Sequence, residues 1–124
     1  MVDETKIVLD FLLAQDALKG FAFWADVAEP VAGYKPADGV GICFKARGGN
    51  DDDTNVVFDP SFQFLIFGID EVTCRDAAHV LHDVVEGRGD AHIMAIRRET
   101  YPVTLKDPQT NWTHVLVHYK IMVR

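Results

Sequence analysis

The tightest constraint on this chain lies in two stretches whose side chains are apolar on both sides of a strand. In 62–67, Phe62, Phe64 and Ile66 fall on one side of an extended backbone, with Leu65 and Phe67 on the other. The doubling recurs in 111–124, where Val115, Val117, Tyr119, Ile121 and Val123 oppose Trp112, Leu116 and Met122. A sheet wetted on one face alternates apolar with polar residues, so these strands need cover on both faces. Two short helices cover one face well or both poorly. The pattern therefore predicts surplus apolar sheet surface and a partner subunit to bury it, since monomers rarely expose large contiguous apolar patches.

Two segments have helical spacing. In 3–18, Ile7, Val8, Phe11 and Leu12 make one stripe, widened by Leu9 and Leu13. Asp3 and Glu4 suit the positive end of its dipole and Gly20 ends it. In 72–86, Cys74, Ala77, Ala78, Leu81, Val84 and Val85 share a face, with Thr73 as N-cap, Asp76 three residues on and Gly87 as stop. Strands are expected at 21–27, 40–46, 56–67 (bent near Pro60), 91–105 (one long or two short) and 111–124. The run 48–55, Gly-Gly-Asn-Asp-Asp-Asp-Thr-Asn, is read as a solvated loop tip of a hairpin. The expected fold is α+β in the order α-β-β-β-α-β-β: an antiparallel sheet of about four to five strands carrying two α-helices, one domain over 1–124.

Lys and Arg number 12 against 19 Asp and Glu, a net charge of −7. That field disfavours general nucleic-acid binding and docking on an anionic membrane. Cys43 and Cys74 belong to no CxxC pair and read as reduced, buried small hydrophobes. The stretch 1–13 has an acidic start and an apolar run broken by Asp10, so neither a secretory signal nor a membrane span is expected, and the setting is cytosolic.

Chemical motifs are sparse. His79 and His82 lie one helical turn apart, and His114 and His118 share a strand face. The strand pair is about 13 Å apart at ~3.3 Å per residue, too far to hold one ion. Asp51, Asp53 and Asn55 imitate the start of a calcium loop, but Val56 and Phe62 stand where glycine and glutamate are required. Arg88-Gly89-Asp90 and the sequon Asn111-Trp112-Thr113 matter only outside the cytosol. Ser61, the one serine, has no Gly-x-Ser-x-Gly elbow, and Gly39-x-Gly41 lacks a third glycine. Lys45, Arg47, Arg97, Arg98, Lys106 and Lys120 fall mainly on expected strands, either as a basic band for phosphate or as partners for nearby carboxylates. No catalytic residue, cofactor or metal is expected.

One resemblance covers nearly the whole chain in element order. The helix 74–86, the break Gly87-Arg88-Gly89, Tyr101-Pro102-Val103, Asp107-Pro108-x-Thr110-Asn111-Trp112 and the ending Tyr119-Lys120-Ile121-Met122-Val123 resemble the tail-terminator (tail-completion) proteins of long-tailed bacteriophages. The resemblance implies a structural virion protein, assembled in the bacterial cytoplasm and located at the tail–head joint. Such proteins form a hexameric ring that caps the head-proximal end of the tail tube, stops its polymerisation and presents a surface to the head connector. Viral DNA passes through without specific binding, and six copies of a −7 chain would line that passage with acid. The resemblance also directs neighbour or tube contacts to Arg47, Gly48, Gly49, Asp51, Asp52 and Asp53, with Trp112. Three other readings stay open: another neck or minor tail component, a host adaptor, or a small oligomeric α+β enzyme or binding module with an inter-subunit pocket near His114, Tyr119 or Asp59.

Overall fold

In a computed structural model, which describes residues 4–27, 32–51, 58–86, 93–108 and 110–123, the chain is α+β with two helices on a six-stranded mixed sheet. Helix α1 (Glu4–Leu13) buries Val8, Phe11 and Leu12. The helix predicted to run to residue 18 ends earlier because the Gln15 side chain donates to the Phe11 carbonyl at 3.1 Å. The backbone N–H of Gln15 turns instead to Leu12. A short 3-10 turn, Asp16–Leu18, then seats Leu18 in the core.

Helix α2 (Glu71–Val85) presents Cys74, Ala77, Ala78, Leu81 and Val85 to the sheet, the face its spacing predicted. Its cap is Asp70 rather than Thr73: the Asp70 carboxylate accepts from the Thr73 N–H at 2.7 Å. Asp70 is the residue before the helix and Thr73 its third residue, the N-cap and N3 positions of an aspartate cap; the Cys74 N–H already bonds the Asp70 carbonyl.

Strands β1 (Ala22–Ala25), β2 (Gly41–Asp51), β3 (Phe58–Phe67), β4 (Ile93–Arg98), β5 (Val103–Lys106) and β6 (Thr113–Val123) line up as β1-β2-β3-β6-β4, with β5 also on β6. The sheet is mixed, not wholly antiparallel. β1 pairs with β2 in parallel, Phe23 beside Ile42. Parallel neighbours need a crossover of a dozen or more residues, and 26–40 supplies one. β4 and β5 form one broken edge on the same side of β6: Arg98 faces Tyr119 and Val103 faces Leu116.

The β2–β3 hairpin is longer than expected. Gly48, Gly49 and Asp51, assigned above to the loop tip, are paired strand residues opposite Ser61, Pro60 and Phe58. A bulge at Arg47 shifts the register between Ala46 and Gly48. Backbone hydrogen bonds make the ladder, so two glycines do not end it once a bulge has reset the alignment.

Both helices pack on the same sheet face. Ile42, Phe44, Phe62, Phe64, Ile66, Val115, Val117, Tyr119, Ile121 and Val123 meet them in one buried cluster. Among the described residues, no helix is long and apolar enough to cross a membrane.

The capping bond holds the Asp70 carboxyl below the usual aspartate range. A depressed folded value stabilises the fold above the unfolded value, and that contribution disappears as pH falls through the folded one. Asp70→Ala should lower Tm at neutral pH. Asp70→Asn, which caps without titrating, should keep it and flatten the acid decline. Melts followed by circular dichroism from neutral to strongly acidic pH check both.

Candidate interaction surface

The sheet face away from the helices is built in cross-strand rows. One row runs Trp24–Cys43–Leu65–Leu116–Val103, and a second runs Gly41–Phe67–His114–Leu105. Cys43 and Phe67 are buried, and Leu65 and Leu116 are half-buried. Val103 and Leu105 are 51% and 40% exposed, so the apolar surface runs out to the β5 edge uncovered. The doubled alternation of β3 and β6 thus has one face under helices and the other partly bare.

Aromatic rings close one corner of this face. Tyr34 lies edge-on to Trp24 at 5.1 Å and to Trp112 at 5.8 Å, and Trp112 reaches Phe67 at 6.4 Å. The crossover between β1 and β2 delivers Tyr34, whose hydroxyl donates to the Gly39 carbonyl at 2.6 Å. Burial pushes its phenol pKa up to about 12. Gly41 makes room for the arrangement: a Cβ there would stand 2.4 Å from the Trp24 ring.

Beyond the apolar rows the face turns polar. Lys45 pairs across to Gln63 and Gln63 to His118; Ser61 pairs to Lys120 and Lys120 to Arg97. The Ser61 hydroxyl is bonded to Glu99, and the His118 N–H donates to the Thr100 hydroxyl at 3.1 Å. Lys45, Arg97 and Lys120 therefore share this face. Arg98 and Lys106 project from the helix side of their strands, opposite Tyr119 and Thr113. Of the band of basic residues read from sequence, three members come together.

The residues assigned above to neighbour or tube contact do not form one patch. Gly48, Gly49, Asp51 and the Arg47 bulge lie at the end of β2 beside Phe58, whereas Trp112 stands at the opposite end of β3 beside Phe67. That separation runs from about 20 Å for Gly48 to about 30 Å for Asp51 at ~3.3 Å per strand residue. Asp52 and Asp53, like Arg88-Gly89-Asp90, lie outside the described residues.

The histidines enter separate contacts. His79 is exposed on α2, while Nδ1 of His82 lies 3.1 Å from the Tyr119 hydroxyl and 3.8 Å from a Glu86 carboxylate oxygen. Glu86 also accepts from the Arg98 N–H at 3.0 Å, tying the end of α2 to β4. Burial raises the Tyr119 phenol above its ordinary value, so it stays a neutral partner. His114 packs against Phe67 with the rings tilted by 33° and their centroids 5.0 Å apart. Among the described residues no three His, Cys, Asp or Glu side chains converge as a metal site. Cys43 and Cys74 are buried and form no disulfide, and burial with the nearby Asp70 charge lifts the Cys74 thiol to about 11. A shallow groove between the start of α2 and β5 is lined by Ile69, Glu71, Arg75, Thr104 and Lys106. Arg75 spans it, bonded to Glu71 at 3.0 Å and Thr104 at 3.1 Å.

Gly41→Ala should push Trp24 off its seat and cost about 1–3 kcal/mol, the range for overpacking. A lower urea midpoint together with altered near-ultraviolet circular dichroism from the tryptophans is the expected result.

Compared with models of known protein families, the chain matches none, and no curated protein matches it either.

Proposed function

We propose that this chain is a ring-forming structural subunit, a tail terminator that caps the head-proximal end of a phage tail tube. One observation carries the reading: the open sheet face, where the rows through Leu65–Leu116–Val103 and Phe67–His114–Leu105 reach the surface beside basic residues. Covering such a face is work for a second subunit rather than for a small ligand. Edge strands β1 and β4–β5 also leave backbone groups available beyond the sheet. The resemblance in element order supplies the rest: a homo-hexamer with the tail tube on one side, the head connector on the other, and viral DNA passing through. In this reading the protein performs no chemistry and binds no cofactor.

Native mass spectrometry at micromolar concentration should give a six-subunit species, and negative-stain images a ring with an axial hole. Added to polymerising tail-tube subunits, that ring should stop elongation. A monomer overturns the reading. A stable dimer with a small molecule held between subunits would favour the binding module instead.

A further inference from the structure

The net charge of −7 is not spread evenly over the molecule. Helix α2 and its cap carry Asp70, Glu71, Asp76, Asp83 and Glu86 against the single cation Arg75, all of them exposed. Among the residues whose side chains are described, the open sheet face carries the reverse: Lys45, Arg97 and Lys120, with Glu99 tied to Ser61. Acid therefore predominates on the exposed side of α2, and base among the described side chains of the open face.

The apolar surfaces follow the same division. Val72, Asp76, Val80 and Asp83 recur at i, i+4, i+8 and i+11, which places them on one ridge of α2 pointing away from the core. Val72 is 67% exposed and Val80 36%. The open face offers Leu65, Leu116 and Val103 beside its cations. Along the ridge, Val72 to Asp83 spans about 16 Å at ~1.5 Å per residue. Along β6, Leu116 to Lys120 spans about 13 Å at ~3.3 Å per residue. With Val72 over the leucine row, Asp83 comes within the sweep of the Lys120 side chain, whose four-carbon stem absorbs the difference.

We infer that the open sheet face receives the outer ridge of α2 from a second copy of this chain. The contact rests on the ring reading above and names the two surfaces that would build it. Packing two open faces together would set Lys45, Arg97 and Lys120 near their own copies, and like charges across an interface disfavour that pairing. The α2 ridge brings Val72 for the leucine row and carboxylates for the cations. Because the two surfaces differ, the contact is head-to-tail, and copies joined this way close into a ring when the rotation per step divides the circle.

Two variants test it: Lys45→Glu with Lys120→Glu on the sheet face, and Asp76→Lys with Asp83→Lys on α2. Each should weaken assembly roughly tenfold or more, as like charges then meet across the contact. Mixed in equal amounts they should reassemble, since the acidic sheet face of one now fits the basic helix of the other. Native mass spectrometry should then show the wild-type subunit number with both variants in equal share. An α2 variant that assembles like wild type, or a mixture that stays monomeric, overturns the contact while leaving the ring standing. A wild-type chain that is monomeric at tens of micromolar overturns both. Should either variant fail to melt cooperatively, carbodiimide coupling of mixed isotope-labelled wild-type subunits decides the matter. Bonds from Lys45 or Lys120 of one subunit to Asp76 or Asp83 of another are required, and intersubunit bonds confined to other pairs overturn the contact.

Discussion

The β3–β6 ladder is the constraint on which the rest of the structure depends. Phe62, Phe64 and Ile66 lie opposite Tyr119, Val117 and Val115, and this single strip of six side chains forms the floor on which the helices sit. The other strands build outward from these two: β2 along β3 and then β1 along β2 on one side, β4 and β5 along β6 on the other. The rings of Phe44 and Phe64 stack at 5.4 Å, and Tyr119 meets Phe64 edge-on at 5.5 Å, so the floor is made mainly of aromatic area. A shift of one residue in this register would turn Leu65, Phe67 and Leu116 toward the helices and Phe64 toward solvent. Burying the larger set fixes the alignment.

Much of that was legible in the sequence, because strand and helix periods are written locally. The stripe from Cys74 to Val85 and the two-sided character of β3 and β6 follow from side-chain spacing, whereas 91–105 reads equally as one long strand or two short ones and is broken between β4 and β5. What escaped was long-range or set by one polar side chain. Nothing in Ala22–Ala25 itself distinguishes a parallel from an antiparallel neighbour; only the 15 residues from Asp26 to Val40 make the parallel pairing possible. The early end of α1 hangs on the Gln15 amide, and the extent of β2 on a bulge that realigns glycines otherwise typical of a turn.

The interaction surface was half legible. Spacing showed that apolar residues stood on both faces, and composition counted the charges, but neither could say which face the helices would choose. Once both helices take the Phe62–Phe64–Ile66 side, Leu65, Leu116, Val103 and Leu105 belong to the other by strand parity. Trp112 joins an aromatic corner with Tyr34 and Phe67. The basic residues sort by the same parity: Lys45, Arg97 and Lys120 to the open face, Arg98 and Lys106 to the helix side.

Net charge is therefore a poor guide to what this domain touches. A uniformly acidic chain would repel its own copies at every approach, and a −7 total on its own suggests that. An acidic outer side of α2 and a basic patch on the open face change the balance, because interface electrostatics depend on the surfaces that meet and fall off over about 8–10 Å in physiological salt. At that range Lys120 meets whatever faces the sheet, not the sum over the molecule. Acid concentrated on α2 leaves the open face free to carry base, and strand parity gathers that base beside the leucine rows. The alternation that demands cover for the second face thus also supplies the charge by which a copy of the same chain can provide it.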